Sequence, residues 1–174
     1  MAIFTVHGPF NVPGVVDGDT LKFAKADKAG FWEEAGEELA HSKGCYLFCL
    51  RRRSGWLPWY VGMTSRSFYD ECFTPHKREH YGWSIKEHAR AHPKRRAKPV
   101  MFFLARVVQR GGVSREEILD LENHLIGLAL KQNSNLSNVK GTDREPWWRI
   151  DGVRPPGRGR PSDAAVEFKK ALGL

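Results

Sequence analysis

The segment Gly44-Cys-Tyr-Leu-Phe-Cys-Leu50 is apolar throughout rather than at alternate positions. Successive side chains of a strand point to opposite faces, so this strand needs apolar cover on both. It therefore belongs inside a sheet packed on two sides. Arg51-Arg-Arg-Ser-Gly55 follows as a turn signal, and Trp56-Leu-Pro-Trp-Tyr-Val-Gly-Met63 reads as a second strand, antiparallel to the first if the turn is a hairpin. Pro58 cannot donate to a ladder, which puts the early part of this strand at an edge or a bulge. Pro99 to Val108 is a third strand, broken by Gly111-Gly112. Residues 65–92 are polar and helical in pieces, with Pro75 and Pro93 bracketing His76 to His92.

Ser114 to Leu130 has the spacing of an amphipathic helix, with Ile118, Leu121, Leu125, Leu128 and Ala129 on its apolar stripe. Ser114 and Glu117 form a capping box at its start, and the run from Gln132 to Asn135 ends it. Glu116, Glu117 and Asp120 fall on the solvated side, and His124 is also placed towards solvent. Glu122 lies within about 30° of the centre of the stripe. A carboxylate there costs several kcal/mol unless it is compensated, by a metal ion, a basic partner or a polar cleft. A salt bridge to an arginine at the helix–sheet border is the plain alternative.

The order strand, strand, helix, strand, helix defines an α+β class with a small three-stranded antiparallel sheet flanked by helices. Three segments are expected. Residues 1–43 form an N-terminal extension with short strands and a short acidic helix at Phe31–Ala40. Residues 44–140 form the main domain, and 141–174 a basic C-terminal extension closed by a helix from Ser162 to Leu172 with Gly173 as its stop. Trp147-Trp148 are expected to clamp this extension onto the domain.

The net charge is +8 and unevenly spread, because residues 1–43 hold four lysines against seven Asp and Glu. Basic clusters stand at Arg51-Arg-Arg, at Lys94-Arg95-Arg96-Ala-Lys98, and from Arg154 through Arg158 to Arg160. Such clusters beside aromatics are the footprint of a protein that meets phosphates, so nucleic acid is the expected partner. No apolar run is long enough for a membrane span, and no secretory signal is evident at the N-terminus. Cys45, Cys49 and Cys72 are odd in number and lack metal-ligand spacing, as expected of reduced thiols in a cytoplasmic protein. His76/His80 and His88/His92 are four apart, a spacing that can bind zinc, but no further ligand accompanies them.

Gly44-Cys-Tyr46 at the start of the first strand, Tyr60-Val-Gly62 near the end of the second, Glu122 on the later helix and the turn Asn133-Ser-Asn135-Leu-Ser-Asn138 resemble the GIY-YIG nuclease family over residues 44–140. The resemblance implies a metal-dependent endonuclease that hydrolyses phosphodiester bonds, on DNA rather than RNA, in restriction or defence, repair or a mobile element. It also implies Mg²⁺ or Mn²⁺ on Glu122 and a late asparagine at Asn138 or Asn135. Tyr46 is then the candidate base for the attacking water and Tyr60 the residue that positions it. The family arginine about ten residues past the second tyrosine is replaced by Asp70. Arg66, Lys77 and Arg78 are candidate substitutes, and if Phe68 to Pro75 is an insertion then Lys77, Arg78 and His80 are the equivalents. Arg51, Arg78, Lys94, Arg95, Arg96, Lys98, Arg158 and Arg160 are the expected nucleic-acid contacts. A catalytically idle module that binds nucleic acid on the same scaffold is the alternative, and monomer and dimer on DNA both stand.

Overall fold

The computed structural model describes residues 3–106, 113–138, 149–153 and 160–174. Its sheet is wider than the three strands expected. Four antiparallel strands, β1 (Ile3–Asn11), β4 (Gly44–Arg52), β5 (Gly55–Thr64) and β6 (Lys98–Arg106), run in the order β5-β4-β6-β1. A two-residue β7 (Arg149–Ile150) joins in parallel beside β1. A separate hairpin pairs β2 (Val15–Asp17) with β3 (Thr20–Lys22).

The extra strand has a physical cause. β6 is buried along most of its length, and β4 covers only one of its edges. Its other edge would leave a row of unpaired backbone groups, which β1 satisfies. Residues 1–43 are thus built into the sheet, and Phe4 and Val6 of β1 are core residues. The interruption at Gly8-Pro9, where the β1–β6 register shifts between His7 and Phe10, breaks the alternation that would have marked β1 as a long strand.

β4 is covered on both faces, as its composition requires. On one face Cys45, Leu47 and Cys49 pack with Phe102 and Leu104 beneath α5 (Arg115–Gln132) and α6 (Asp163–Leu172). On the other, Tyr46, Phe48 and Leu50 pack with Met101 and Phe103. That side is closed by α1 (Lys25–Ala35), α2 (Glu37–Ala40), α3 (Phe68–Glu71) and α4 (Pro75–Ala91). The stretch from Leu47 to Trp59 consists almost wholly of strand around a two-residue turn. β5 is an edge strand, and its register slips by one residue at Trp59, next to Pro58. The capping box of Ser114 and Glu117 starts α5, and Gly173 ends α6 at φ 67°. Among the described residues no helix is long and apolar enough to cross a membrane.

Candidate active site

Both glycines of the paired tripeptides are dictated by packing. Gly44 meets β6 so closely that any side chain would strike the carbonyl of Leu104. Tyr46 lies opposite Gly62 across the β4–β5 ladder, and its ring crosses the space a Cβ at 62 would occupy. Phe48 lies opposite Tyr60, two residues along, so both tyrosines share one face with ring centroids 6.1 Å apart.

The tyrosines differ in environment. Tyr46 is fully buried, and its hydroxyl has no hydrogen-bond partner of good geometry. Burial, reinforced by the nearby Tyr81, Cys72, Tyr60 and Glu71, pushes its pKa well above the ordinary phenol value. Tyr60 is 5 % exposed and accepts a hydrogen bond of 2.5 Å from Lys77 Nζ. Burial raises its pKa and Glu122 adds to the rise, while Lys77 pulls it back.

Lys77 sits in the first turn of α4, behind Pro75 at the helix start, and its ammonium lies 3.6 Å from Glu71. Burial disfavours its charge. The hydrogen bond to Tyr60 and the carboxylates of Glu71 and Glu122 outweigh that effect, so its pKa stands above the ordinary lysine value and it stays cationic. The ring of His80, one turn further, lies 4.9 Å from that of Tyr60. Its pKa is lowered by burial, by His76 and by Lys77, which keeps the ring neutral at pH 7.

Glu122 is half-buried on α5. Its charge reaches Cys45, Tyr60 and Lys77. The Cys45 thiol donates 3.3 Å to the carbonyl of Ile118, which ties the start of β4 to the helical turn that carries Glu122. Among the described residues no group of three or more His, Cys, Asp or Glu could hold a metal. A single hard carboxylate in electrostatic reach of Tyr60 and Lys77 fits Mg²⁺ or Mn²⁺, ions that keep waters and take further ligands from phosphate, and does not fit a closed zinc site.

Asn138 braces the cleft from outside. Its Oδ1 accepts from the Val61 amide at 3.2 Å, and its Nδ2 donates to the Val61 carbonyl at 2.5 Å, so it stands in for a missing strand on the β5 edge. Asn133 and Ser137 extend this brace to Pro58 and Trp59, whereas Asn135 only closes the local turn with Asn133.

The remaining sequence-named residues fall elsewhere. Arg66 is exposed on the turn after β5. Asp70 caps α3 with Ser67, accepting 2.7 Å from its hydroxyl. Arg78 turns away from Tyr60 and lies 5.6 Å over the ring of Phe23. Arg51 and Lys98 are register partners at the far end of the sheet, and Lys94, Arg95 and Arg96 are exposed beside them in sequence. Arg160 is exposed, while Arg158 and Trp147-Trp148 lie outside the described residues. His124 is half-buried rather than turned to solvent. The sequence reading missed Glu71 and Tyr81. Tyr81 follows Lys77 by four and precedes Ser84 and the buried His88, a helical spacing that marks one face of α4.

Comparison with protein-family models, with curated proteins and with solved structures gives no match.

Proposed function

We propose that this chain is a metal-dependent endonuclease of the GIY-YIG type acting on DNA. The observation that carries the reading is the hydrogen bond from Lys77 to Tyr60, both of which feel the charge of Glu122. A structural lysine at a helix start has no need to be desolvated against a phenol. A phosphoryl-transfer site does need a fixed cation beside a proton acceptor.

The geometry favours Tyr60 over Tyr46 as the base. Tyr46 is sealed in the core, and ionising it there would be costly. Tyr60 as a phenolate takes the proton of the attacking water, and the Lys77 ammonium beside it stabilises that phenolate. Tyr46 packs over Gly62 and holds the Tyr60 ring in place. Lys77 supplies the buried cation that Asp70 does not, and Arg66 at the rim meets the phosphate backbone. Asn138 keeps the backbone at Val61 from fraying, so Tyr60 keeps its position. Glu122 is the residue that would hold a divalent ion, and the chemistry such an ion would supply is positive charge to polarise the scissile phosphate.

Two observations favour the idle-module alternative: the hydroxyl of Tyr46 is closed off, and Asp70 is engaged in a cap. Cleavage of a supercoiled plasmid by the wild-type chain and by Tyr60→Phe, with and without Mg²⁺ or Mn²⁺, separates the two readings. The nuclease reading expects divalent-dependent nicking or linearisation that falls about 100-fold or more in Tyr60→Phe. No cleavage by the wild type with either ion would leave binding alone.

A further inference from the structure

The end of the β4–β5 hairpin, the last turns of α4 and the Asn133–Leu136 segment enclose a second cavity of about 530 Å³. Arg52, Trp59, Trp83, His88, Arg90 and His92 are among its lining residues. Three of these carry buried polar atoms without a partner: Arg52 Nε, Trp59 Nε1 and His88 Nε2. Trp59 is 4 % and His88 3 % exposed, so both side chains are withdrawn from bulk solvent. Unpaired buried polar atoms are rare and costly, and three around one cavity call for a ligand with acceptors.

The surroundings define that ligand's charge. Arg52, Arg95 and His92 act electrostatically on His88, which burial already holds below the ordinary histidine pKa. Arg51 and Lys98 end the adjacent strands. The acid at the rim, Glu87, is held by Arg90 at 2.7 Å. The surroundings also define its shape. Trp59 and Trp83 meet edge to face with centroids 5.8 Å apart, and Trp83 is 37 % exposed, which leaves a flat aromatic surface open for stacking. A planar group attached to an anion matches both features.

We infer that this cavity is a subsite for one unpaired nucleotide of a bound DNA strand, its base against Trp83 and its phosphate against Arg52 and His88. The inference rests on the nuclease reading for the strand itself. Position supports it: Trp83 and Leu136 also line the cavity that holds His76 and His80, so the two cavities share a wall. Along β4, Arg52 stands four residues beyond Phe48, the register partner of Tyr60. That is about 13 Å of strand. A strand cut at Tyr60 and Lys77 thus reaches the cavity with its neighbouring nucleotides. The subsite makes the enzyme favour substrates with an unpaired base beside the cut, such as flaps, gaps or distorted duplexes.

The test is tryptophan fluorescence of the full chain titrated, without divalent ion, with an oligomer of eight deoxythymidines, with thymidine monophosphate and with inorganic phosphate. The expected result is quenching by the oligomer and an affinity about tenfold weaker in Trp83→Leu and in Arg52→Gln, as for loss of one stacked or paired nucleotide. Melting temperatures identify the variants that fold. Folded Trp83→Leu and Arg52→Gln proteins that bind the oligomer with wild-type affinity overturn the subsite. Full competition by inorganic phosphate at the oligomer's own concentration overturns it too, since the site then reads charge alone. Thymidine monophosphate binding as tightly as the oligomer overturns the assignment to a strand. Cleavage with Trp83-independent binding sinks the subsite and spares the nuclease. Trp83-dependent binding without any cleavage supports the subsite and sinks the nuclease.

Discussion

Lys77 concentrates the residue-scale argument. It is the cation that touches Tyr60, whereas Arg66 is exposed to solvent. Lys77→Met is therefore expected to slow cleavage by about 100-fold or more, and Arg66→Ala by about tenfold or less, in single-turnover assays. The pH dependence follows from the same contact. With Tyr60 as the proposed base, the active form is the deprotonated one and its pKa is raised by burial, so the rate is expected to climb as pH moves to the alkaline side. Removing Lys77 takes away the charge that pulls this pKa down, so the climb moves to still higher pH in Lys77→Met. A profile that is flat through the alkaline range contradicts the assignment of Tyr60 as base. Gly62→Ala tests the packing of the tyrosines. A methyl group there enters the Tyr46 ring, and overpacking of this kind costs about 1–3 kcal/mol in denaturant titration. The sequence shows the glycines and tyrosines as residue types. It does not show that one tyrosine is sealed and the other carries a lysine, because that depends on how α4 lies across the sheet.

At the scale of elements, the two strands and the helix that carry the site were legible. β4 and β5 follow from runs of apolar residues with a turn between them, and α5 from its period and capping box. The position of Lys77 was only partly legible. A short α3 and its link precede α4, so the basic residue near Tyr60 comes later in the chain than simple spacing from the second tyrosine would place it. The Asn133–Asn138 segment was visible as a turn but not as an edge brace, since side-chain pairing with a strand leaves no period in sequence. Asn138→Ala should therefore cost about 1–3 kcal/mol and raise hydrogen exchange at the Val61 amide by at least tenfold. Unchanged protection at Val61 would contradict the brace.

At the scale of the whole molecule, the main sheet has apolar packing on both faces, and its first strand comes from a segment that reads as an N-terminal extension. β1 closes the exposed edge of β6, and Phe31 and Trp32 of α1 cover one face. A chain beginning at residue 44 should lose cooperative unfolding, monitored by near-ultraviolet circular dichroism. A truncated chain with a native-like melt would show that the sheet stands without β1. The reason for the misreading is local: His7 and the Gly8-Pro9 bulge interrupt the alternation of β1, and the acidic charge of the segment sets it apart from the basic remainder. That charge contrast leaves Arg51 and Lys98 together near the tip of the β4–β5 hairpin, while Tyr46 and Gly44 lie at the other end of β4.

The carboxylate of Glu122 joins these scales, because the proposed function assigns its chemistry to one side chain on an otherwise apolar helix face. The most direct measurement is cleavage of a supercoiled plasmid with Mg²⁺ or Mn²⁺ by the wild-type protein and by Glu122→Gln, with DNA binding measured alongside. The account predicts cutting by the wild type, loss of at least about 100-fold in the variant, and unchanged binding. Equal cutting by both proteins would contradict it.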